Sequence, residues 1–218
     1  MRENAAMGTV ARSYGGISAE ERSATRRGAL IDAALDLFAE SGASGVTKRA
    51  VCLRARLNDR YFYEHFADAD TLLAAAADEV TAQGLHTVTA AVLAAAPGIR
   101  AQVHAAADAA LDFMTADPRH RQLLLGMYTT EVLQRARLKS THAIAAAMSA
   151  LAQALLSDST LSPFDTELAG FTIASGTMEL VAAWLRGDYI IDRDHLTDLV
   201  AAMLLTVTDL SRALPKTS

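Results

Sequence analysis

The chain has 218 residues, of which 51% are hydrophobic and only 6% aromatic, and its formal net charge is −5. Its one cysteine, Cys52, excludes an internal disulfide and leaves no cysteine pair for a zinc site. The net charge by itself argues against a nucleic-acid partner, whereas the distribution of charge along the chain favours one.

The basic residues are concentrated near the N-terminus. Residues 1–66 contain 10 of the 20 lysines and arginines but only 8 of the 25 aspartates and glutamates, a net charge of +2, which leaves −7 for residues 67–218. Within residues 47–60, Asp59 is the one acidic residue among five cations: Lys48, Arg49, Arg54, Arg56 and Arg60. Because a polyanion responds to local potential, this segment is a candidate nucleic-acid contact.

Helices are the predicted secondary structure throughout the chain. Alanine supplies much of the hydrophobic content and favours helices, and no run of residues alternates as a strand would. The four prolines, at positions 97, 118, 163 and 215, fall between periodic stretches. The longest apolar run, residues 143–156, is too short for a membrane span, and the N-terminus lacks the apolar stretch of a signal peptide. We therefore expect an all-α, cytoplasmic protein.

Residues 1–21 are small, polar and glycine-containing, and they predict a flexible N-terminal arm. The arm is either a disordered leader or a segment whose Arg12 reaches into a DNA groove. A helix is predicted to begin near Ser23 and to end near Ser41, where Gly42 can cap it. Its apolar residues recur on one face: Leu30, Ala34, Leu37 and Phe38.

Two short helices joined by a tight turn are predicted next. Thr47 is a natural N-cap for the first of them. After a turn around Arg56, Asn58 is a second N-cap, for a helix that runs through about His65. This order, after a longer packing helix, is the helix-turn-helix arrangement, and we assign residues 22–67 to such a domain.

The second short helix separates its side chains by face at 100° per residue. With Phe62 placed toward the core, Phe66 lies on the same face. The remaining side chains fall on or beside the opposite face: Arg60, Tyr61, Tyr63 and Glu64. Core packing explains the phenylalanines, but two tyrosines beside an outward arginine predict a contact surface.

Longer alanine-rich helices follow, and residues 68–218 are predicted to form a larger helical domain without a fixed repeat. The predicted bounds are 68–95, 99–116, 119–139, 140–157, 163–186 and 193–213.

Residues 28–73, "GALIDAALDLFAESGASGVTKRAVCLRARLNDRYFYEHFADADTLL", resemble the DNA-binding domain of the tetracycline-repressor (TetR) family of transcriptional regulators. The resemblance rests on the helix AALDLFAESG, a threonine that opens the next helix, and an aromatic-Tyr-x-His-Phe ending. The remaining residues resemble the family only in length and helical character. The resemblance implies an all-α fold, with an N-terminal three-helix helix-turn-helix DNA-binding domain and a larger helical ligand-binding and dimerisation domain.

Residue by residue, the resemblance implies three sets of DNA contacts. The first turn of the support helix contacts phosphates, which a helix N-terminus favours: Thr47, Lys48 and Arg49. The start of the recognition helix lies in the major groove: Asn58, Arg60 and Tyr61. Arg60 is the best base reader, because a guanidinium can pair bidentately with guanine. Tyr63 and His65 resemble backbone-contacting positions. The alternative for Arg60 is an exposed arginine paired with Glu64.

Two positions depart from the pattern of the family. Arg56 stands in the turn where the family usually has glycine, and a left-handed turn at a non-glycine residue costs about 1 kcal/mol. Its charge would suit a phosphate. Ala69, between Asp68 and Asp70, stands where the family tends to have lysine, so that phosphate contact is expected to be lost.

The last two predicted helices carry apolar residues on more than one face, and each such face must be covered. The stripes are Phe164, Leu168, Phe171, Met178 and Leu185; Gly170, Ala174, Thr177, Val181 and Trp184; and Leu196, Val200, Met203, Val207 and Leu210. The resemblance implies a homodimer in which the Phe164–Trp184 and Leu196–Leu210 helices pair with their copies. Packing within one monomer is the alternative. Gly187 and Asp192 are the predicted C-cap and N-cap between the two helices.

Soft side chains on the middle helices form a candidate ligand set: Phe113, Met114, Met127, Tyr128 and Met148. Residues of this kind at helical spacing are also typical of an ordinary core. His104 and Asp108 share a helix face, but no third metal ligand accompanies them. No nucleophile elbow, phosphate-binding glycine loop or HExxH motif is present. We expect no metal, no cofactor and no catalytic activity.

Together these features predict a homodimeric, ligand-responsive transcriptional regulator that binds an operator in double-stranded DNA, as a repressor released by a small apolar effector. Two alternatives remain open. One is a TetR-like activator. The other is a helical small-molecule-binding or enzymatic bundle that does not bind DNA.

Overall fold

The computed structural model describes residues 18–155 and 162–206, and within these ranges the chain is helical, without a strand. The helices are α1 (Ala19–Ser41), α2 (Lys48–Ala55), α3 (Asp59–Tyr63), α4 (Ala69–Ala94), α5 (Ile99–Ala116), α6 (Pro118–Gly126), α7 (Glu131–Leu155), α8 (Pro163–Arg186) and α9 (Arg193–Leu205). A short 3₁₀ turn, Ala43–Gly45, separates α1 from α2. The predicted all-α fold class is confirmed.

Side-chain caps set several of the helix ends. Thr47, Asn58 and Asp192 each accept a hydrogen bond from the backbone N–H three residues further on. Gly187 ends α8 in the left-handed conformation, and Gly42 ends α1 with a φ of 66°. These positions were predicted as caps because a short polar side chain satisfies the free N–H groups of a first turn, and because glycine tolerates a positive φ.

The first helix begins at Ala19, four residues before its predicted start near Ser23. The cause is a capping box: Ser18 Oγ accepts from the Glu21 N–H at 3.0 Å, and the Glu21 carboxylate accepts from the Ser18 N–H at 2.6 Å. Helix α1 therefore includes residues 19–21, which were predicted to belong to the flexible arm. The rest of the predicted arm, residues 1–17 with Arg12, lies outside the described residues.

The predicted helix boundary between residues 139 and 140 is wrong. Helix α6 ends at Gly126, and α7 runs without interruption from Glu131 to Leu155. Thr130 starts α7, because its hydroxyl accepts a hydrogen bond from the Leu133 N–H at 3.3 Å. A glycine precedes the true break, whereas neither glycine nor proline stands at the predicted one. The predicted end of the last helix, at residue 213, lies outside the described residues.

Helix α1 links the helix-turn-helix segment to the helices of residues 68–218, and α4 lies beside it. Helix α1 contacts α2, α4 and α6, while α4 also contacts α5 and α7; α7 packs on α8, and α5 on α9. The predicted core residues Leu30, Ala34 and Phe38 are buried, and Leu37 packs half-buried against them. One hydrophobic cluster runs from these residues into α9. Because α1 packs directly against α4 and α6, a shift of either helix would also displace α1.

Helix α6 lies close to α1 at Gly126. A Cβ added there would lie 2.4 Å from Cζ of the buried Phe38, so the ring would have to move. Because overpacking a core destabilises it, we expect Gly126→Ala to lower the free energy of unfolding by about 1–3 kcal/mol in a urea titration. The control is Gly28→Ala, which meets nothing within 4 Å. An equal or higher stability of Gly126→Ala relative to Gly28→Ala would show that this contact is not tight.

The small-residue stripe of α8 is covered by the chain itself. Gly170, Ala174 and Val181 are buried, and a Cβ at Gly170 would lie 3.1 Å from the carbonyl oxygen of Ala145 in α7. The monomer alternative is therefore correct for these residues. Phe164 and Leu168, from the other stripe, remain 67% and 50% exposed.

Among the described residues, the segment Phe164–Arg186 is long and apolar enough to cross a membrane by length and composition. Core helices of soluble proteins also meet that criterion, and the buried side of this segment packs on α7.

Candidate nucleic-acid interface

Helices α2 and α3 form a helix-turn-helix with a three-residue turn. Arg56 ends α2 in the left-handed conformation, at φ 55° and ψ 39°, and it is the only non-glycine residue with a positive φ in the described part of the chain. Asn58 Oδ1 then accepts from the Tyr61 N–H at 3.3 Å and starts α3. The turn takes the glycine-type conformation that the resemblance implied, although an arginine occupies it.

Helix α3 presents its aromatic residues as the periodicity predicted. Phe62 is fully buried and Phe66 is buried beside it, with ring centroids 6.0 Å apart. On the opposite face the Arg60 side chain is 83% exposed, and Tyr63 is 60% exposed. Tyr61 is half-buried, because the Arg26 guanidinium of α1 lies 4.6 Å from the centroid of its ring. Helix α3 is shorter than predicted, since it ends at Tyr63.

Internal counterions hold three of the five cations in this segment. Lys48 Nζ lies 2.5 Å from Asp59, and Arg60 Nε donates to Glu64 at 3.0 Å. Arg54 contacts two carboxylates of α1, from Asp36 and Glu40. The hydrogen bond to Asp59, with a smaller contribution from the neighbouring Tyr63, raises the pKa of the Lys48 ammonium above its ordinary value.

The other two cations, Arg49 and Arg56, form no ion pair within the described residues, and both are exposed. Arg49 lies in the first turn of α2, and Arg56 caps the opposite end of the helix. These two guanidinium groups carry the free positive charge of this surface.

The eight predicted DNA-contact residues lie on or next to this surface. Five are exposed: Thr47, Arg49, Asn58, Arg60 and Tyr63. Lys48, Tyr61 and His65 are half-buried. His65 differs most from expectation, because its Nε2 is enclosed without a hydrogen-bond partner in the described structure, and its ring lies 6.2 Å from that of Phe66. The Nε2 atom is thus closed to solvent, although the prediction made His65 a DNA contact.

Three residues of this surface were not in the predicted set. Asp59 and Glu64 hold cations, and Arg26 contacts both Tyr61 and Glu64 from α1. The i, i+4 spacing indicated the Arg60–Glu64 pair. No local pattern indicates Arg26, because its contact depends on how α1 packs against α3.

The left-handed Arg56 gives a test of the turn. Because glycine adopts a positive φ without steric cost, we expect Arg56→Gly to raise the free energy of unfolding by about 1 kcal/mol in a urea titration. Arg56→Ala removes the same charge but keeps a Cβ in the strained conformation, so it should give no such gain. Equal stabilities of the two variants would mean that the turn is not strained.

The five candidate ligand residues have different surroundings in the structure. Phe113 stacks on the buried His120, with ring centroids 4.3 Å apart, and Met127 is buried in the core cluster. The Tyr128 hydroxyl donates to Glu179 near the surface, and Met114 and Met148 are half-buried.

An open cleft of about 470 Å³ lies elsewhere, between the end of α1 and the end of α6. Phe38, Gly42, Gln122 and Thr130 are among its lining residues, and none of the five candidates is. A ligand site formed by those five residues therefore stays a prediction.

His104 and Asp108, considered above as a metal-ligand pair, each interact with a different residue. His104 Nε2 lies 3.2 Å from Asp198, while Asp108 pairs with Arg193 at 2.9 Å. In residues 18–155 and 162–206, no group of three or more histidine, cysteine, aspartate or glutamate side chains has an arrangement that could hold a metal ion.

Comparison with known proteins matches residues 30–76 to the family model of bacterial regulatory proteins, tetR family. No curated protein matches the chain. Residues 30–76 include the C-terminal half of α1, both helices of the helix-turn-helix and the start of α4. The match therefore covers the surface described above.

Solved structures share the fold over most of the chain. A putative transcriptional regulator from Pseudomonas aeruginosa PAO1 aligns with a TM-score of 0.67 at 20% identity, covering 91% of this chain and 100% of that one. The fatty acid degradation regulator FadR from Bacillus halodurans aligns with a TM-score of 0.67 at 18% identity, covering 83% and 94%. FadR from Bacillus subtilis, solved with stearoyl-CoA, aligns with a TM-score of 0.59 at 17% identity, covering 82% and 97%.

At these identities the structural matches show the fold, and the family match identifies the N-terminal domain as DNA-binding. Residues 30–76 therefore match the tetR family of bacterial regulatory proteins, and most of the chain shares its fold with solved structures of transcriptional regulators.

Proposed function

We propose that this protein is a homodimeric repressor that binds an operator in double-stranded DNA and is released by a small apolar effector. The observation that carries the proposal is the division of side chains around α3. Arg60 extends into solvent on its outer face, while Phe62 and Phe66 anchor the opposite face in the core. A helix held in this way can enter a major groove without losing its core contacts.

The predicted contacts divide into positioning and reading residues. Thr47 and Arg49, in the first turn of α2, would contact phosphates, as would Tyr63 on the flank of α3. Lys48 would contribute after exchanging Asp59 for a phosphate. Asn58, Arg60 and Tyr61 would meet base edges, with Arg60 on guanine. For His65 we propose packing beneath the surface instead of a DNA contact, because its free nitrogen is enclosed.

Exposed apolar residues on α8 and α9 support the homodimer. Phe164 and Leu168 on α8 are joined by Leu199 and Met203 on α9, all of them large hydrophobic side chains open to solvent. A second copy of the chain would cover them in a four-helix contact. Val207 and Leu210, predicted to extend this contact, lie outside the described residues. The dimer would present two recognition helices to two half-sites about one helical turn apart or somewhat more.

An effector in the larger half would act by favouring a dimer with a different spacing of its recognition helices. To do so it must bind the two arrangements with different affinity. The proposal of an apolar effector rests on the half-buried Met114 and Met148, and on the B. subtilis relative, which was solved with stearoyl-CoA. Contacts of α6 with α1, including that of Gly126 with Phe38, would transmit a movement caused by the effector to the DNA-binding domain.

Footprinting on the DNA that flanks the protein's own gene tests the proposal. We expect protection of two related half-sites and, in a reporter strain, higher expression when the protein is deleted. Protection with lower expression on deletion would make the protein an activator. Absence of salt-sensitive protection at any site would favour a helical bundle that does not bind DNA.

The free charge of Arg49 gives a prediction for the salt dependence. Arg49→Ala should reduce the slope of log Kobs against log salt by about 0.9, the value for one phosphate contact, and should weaken operator and unrelated DNA alike. Fluorescence anisotropy titrations between 50 and 200 mM salt measure this slope. Lys48→Ala should flatten the slope less, because Asp59 already holds that ammonium. The control is Arg54→Ala on the same helix, whose charge is held by two carboxylates. An equal loss of slope in Arg54→Ala would contradict the assignment of free charge to Arg49.

A further inference from the structure

An acidic residue, Glu64, lies on the same exposed face of the recognition helix as Arg60. We propose that Glu64 is a positioning residue that orients the Arg60 guanidinium so that it distinguishes guanine from other bases. The inference rests on the proposed DNA-binding function and goes beyond it, because it assigns specificity to a residue that does not itself contact a base.

The hydrogen bond between the two side chains leaves the reading edge of the arginine free. Arg60 donates through Nε to Glu64 Oε1 at 3.0 Å. A guanidinium has five N–H donors in a fixed plane, and this contact uses the one nearest the chain. The two terminal amino groups therefore remain available for the O6 and N7 acceptors of guanine, which require two parallel donors.

The carboxylate is itself held from the protein side. Its second oxygen, Oε2, lies 3.9 Å from Nη2 of Arg26 on α1, and the Arg26 guanidinium lies over the ring of Tyr61. The Glu64 side chain is 34% exposed, against 83% for Arg60. Arg26 of α1 thus restrains Glu64, and Glu64 in turn restrains the Nε end of the Arg60 guanidinium. This restraint lowers the conformational entropy that the arginine loses when it binds a nucleobase.

A plain surface ion pair would have a different consequence for DNA binding. A carboxylate facing a polyanion weakens binding to every sequence through repulsion. If neutralisation of Arg60 were its only effect, removing Glu64 would strengthen all complexes and leave base preference unchanged. If Glu64 orients Arg60, removing it strengthens non-specific binding but reduces the preference for guanine. The affinity for unrelated DNA then rises while the preference for guanine falls.

The experiment compares Glu64→Ala and Glu64→Gln with the unaltered protein. Each is titrated against duplexes carrying the footprinted half-site, with every base pair substituted in turn, and against an unrelated duplex. We expect Glu64→Ala to bind the unrelated duplex about twofold or more tightly and to lose about fivefold or more of its discrimination at one guanine. Glu64→Gln should gain the same non-specific affinity but keep most of the discrimination, because an amide oxygen still accepts from Nε.

A matched control is available on α7. Glu131 forms an i, i+4 pair with Arg135 at 3.2 Å, on a helix outside the helix-turn-helix, and Glu131→Ala should change neither readout. Full discrimination in Glu64→Ala, at a position where Arg60→Ala loses it, would overturn the positioning role and leave the proposed function intact. Absence of DNA binding by the unaltered protein would overturn both.

Discussion

Replacing Phe62 by alanine is expected to lower the free energy of unfolding by about 3–5 kcal/mol, as measured by urea denaturation. Phe62 is fully buried, and its ring packs against those of Tyr63 and Phe66 at centroid distances of 5.7 and 6.0 Å. Alanine would leave a cavity beneath the recognition helix that the surrounding helices can fill only in part. DNA binding should fail together with folding, because nothing else in α3 anchors it so deeply.

Tyr63→Ala is the matched control on the same helix. That side chain is largely exposed, so its loss should change stability by less than about 1 kcal/mol. Its effect should instead appear as weaker binding to all DNA sequences, as for a phosphate contact. A stability loss in Tyr63→Ala as large as in Phe62→Ala would mean that the inward and outward faces of α3 have been assigned incorrectly.

Replacing Arg60 by alanine is expected to weaken operator binding by about 1–3 kcal/mol and to relax the preference for one base pair. The side chain is exposed and contacts only Glu64 among the described residues, so its removal should leave thermal stability almost unchanged. The measurement is an anisotropy titration of each variant against the operator and against an operator with that base pair substituted.

Arg135→Ala is the control for this substitution. Arg135 is also an exposed arginine paired with a glutamate one turn away, but it lies on α7, outside the helix-turn-helix. It should bind the operator as the unaltered protein does. Equal operator affinity of Arg60→Ala and Arg135→Ala would remove Arg60 from the set of base-reading residues.

The geometry of the recognition helix could be predicted because it depends on local rules. The 100° rotation per residue fixes which side chains share a face with Phe62, and short polar residues such as Thr47 and Asn58 start helices wherever the chain turns. The structure agrees at each of these positions. The left-handed turn at Arg56 was also foreseeable from the resemblance, although the sequence has no glycine there.

Features that depend on packing between distant segments could not be predicted in the same way. The pairing of Arg26 with Glu64 joins residues from different helices, and the enclosure of His65 depends on its surroundings in the fold. The small residues of α8 were expected to face a second chain, but Gly170 lies against α7 of its own chain. The candidate ligand residues were chosen by chemical type alone, and a ligand site formed by them stays a prediction.

The central claim is that the outer face of α3 reads a DNA sequence. The most direct test is the ratio of two dissociation constants, for the DNA flanking the protein's own gene and for an unrelated duplex of equal length, both at 150 mM salt. Specific recognition predicts a ratio of about a thousand or more. Equal constants for the two duplexes would contradict the claim.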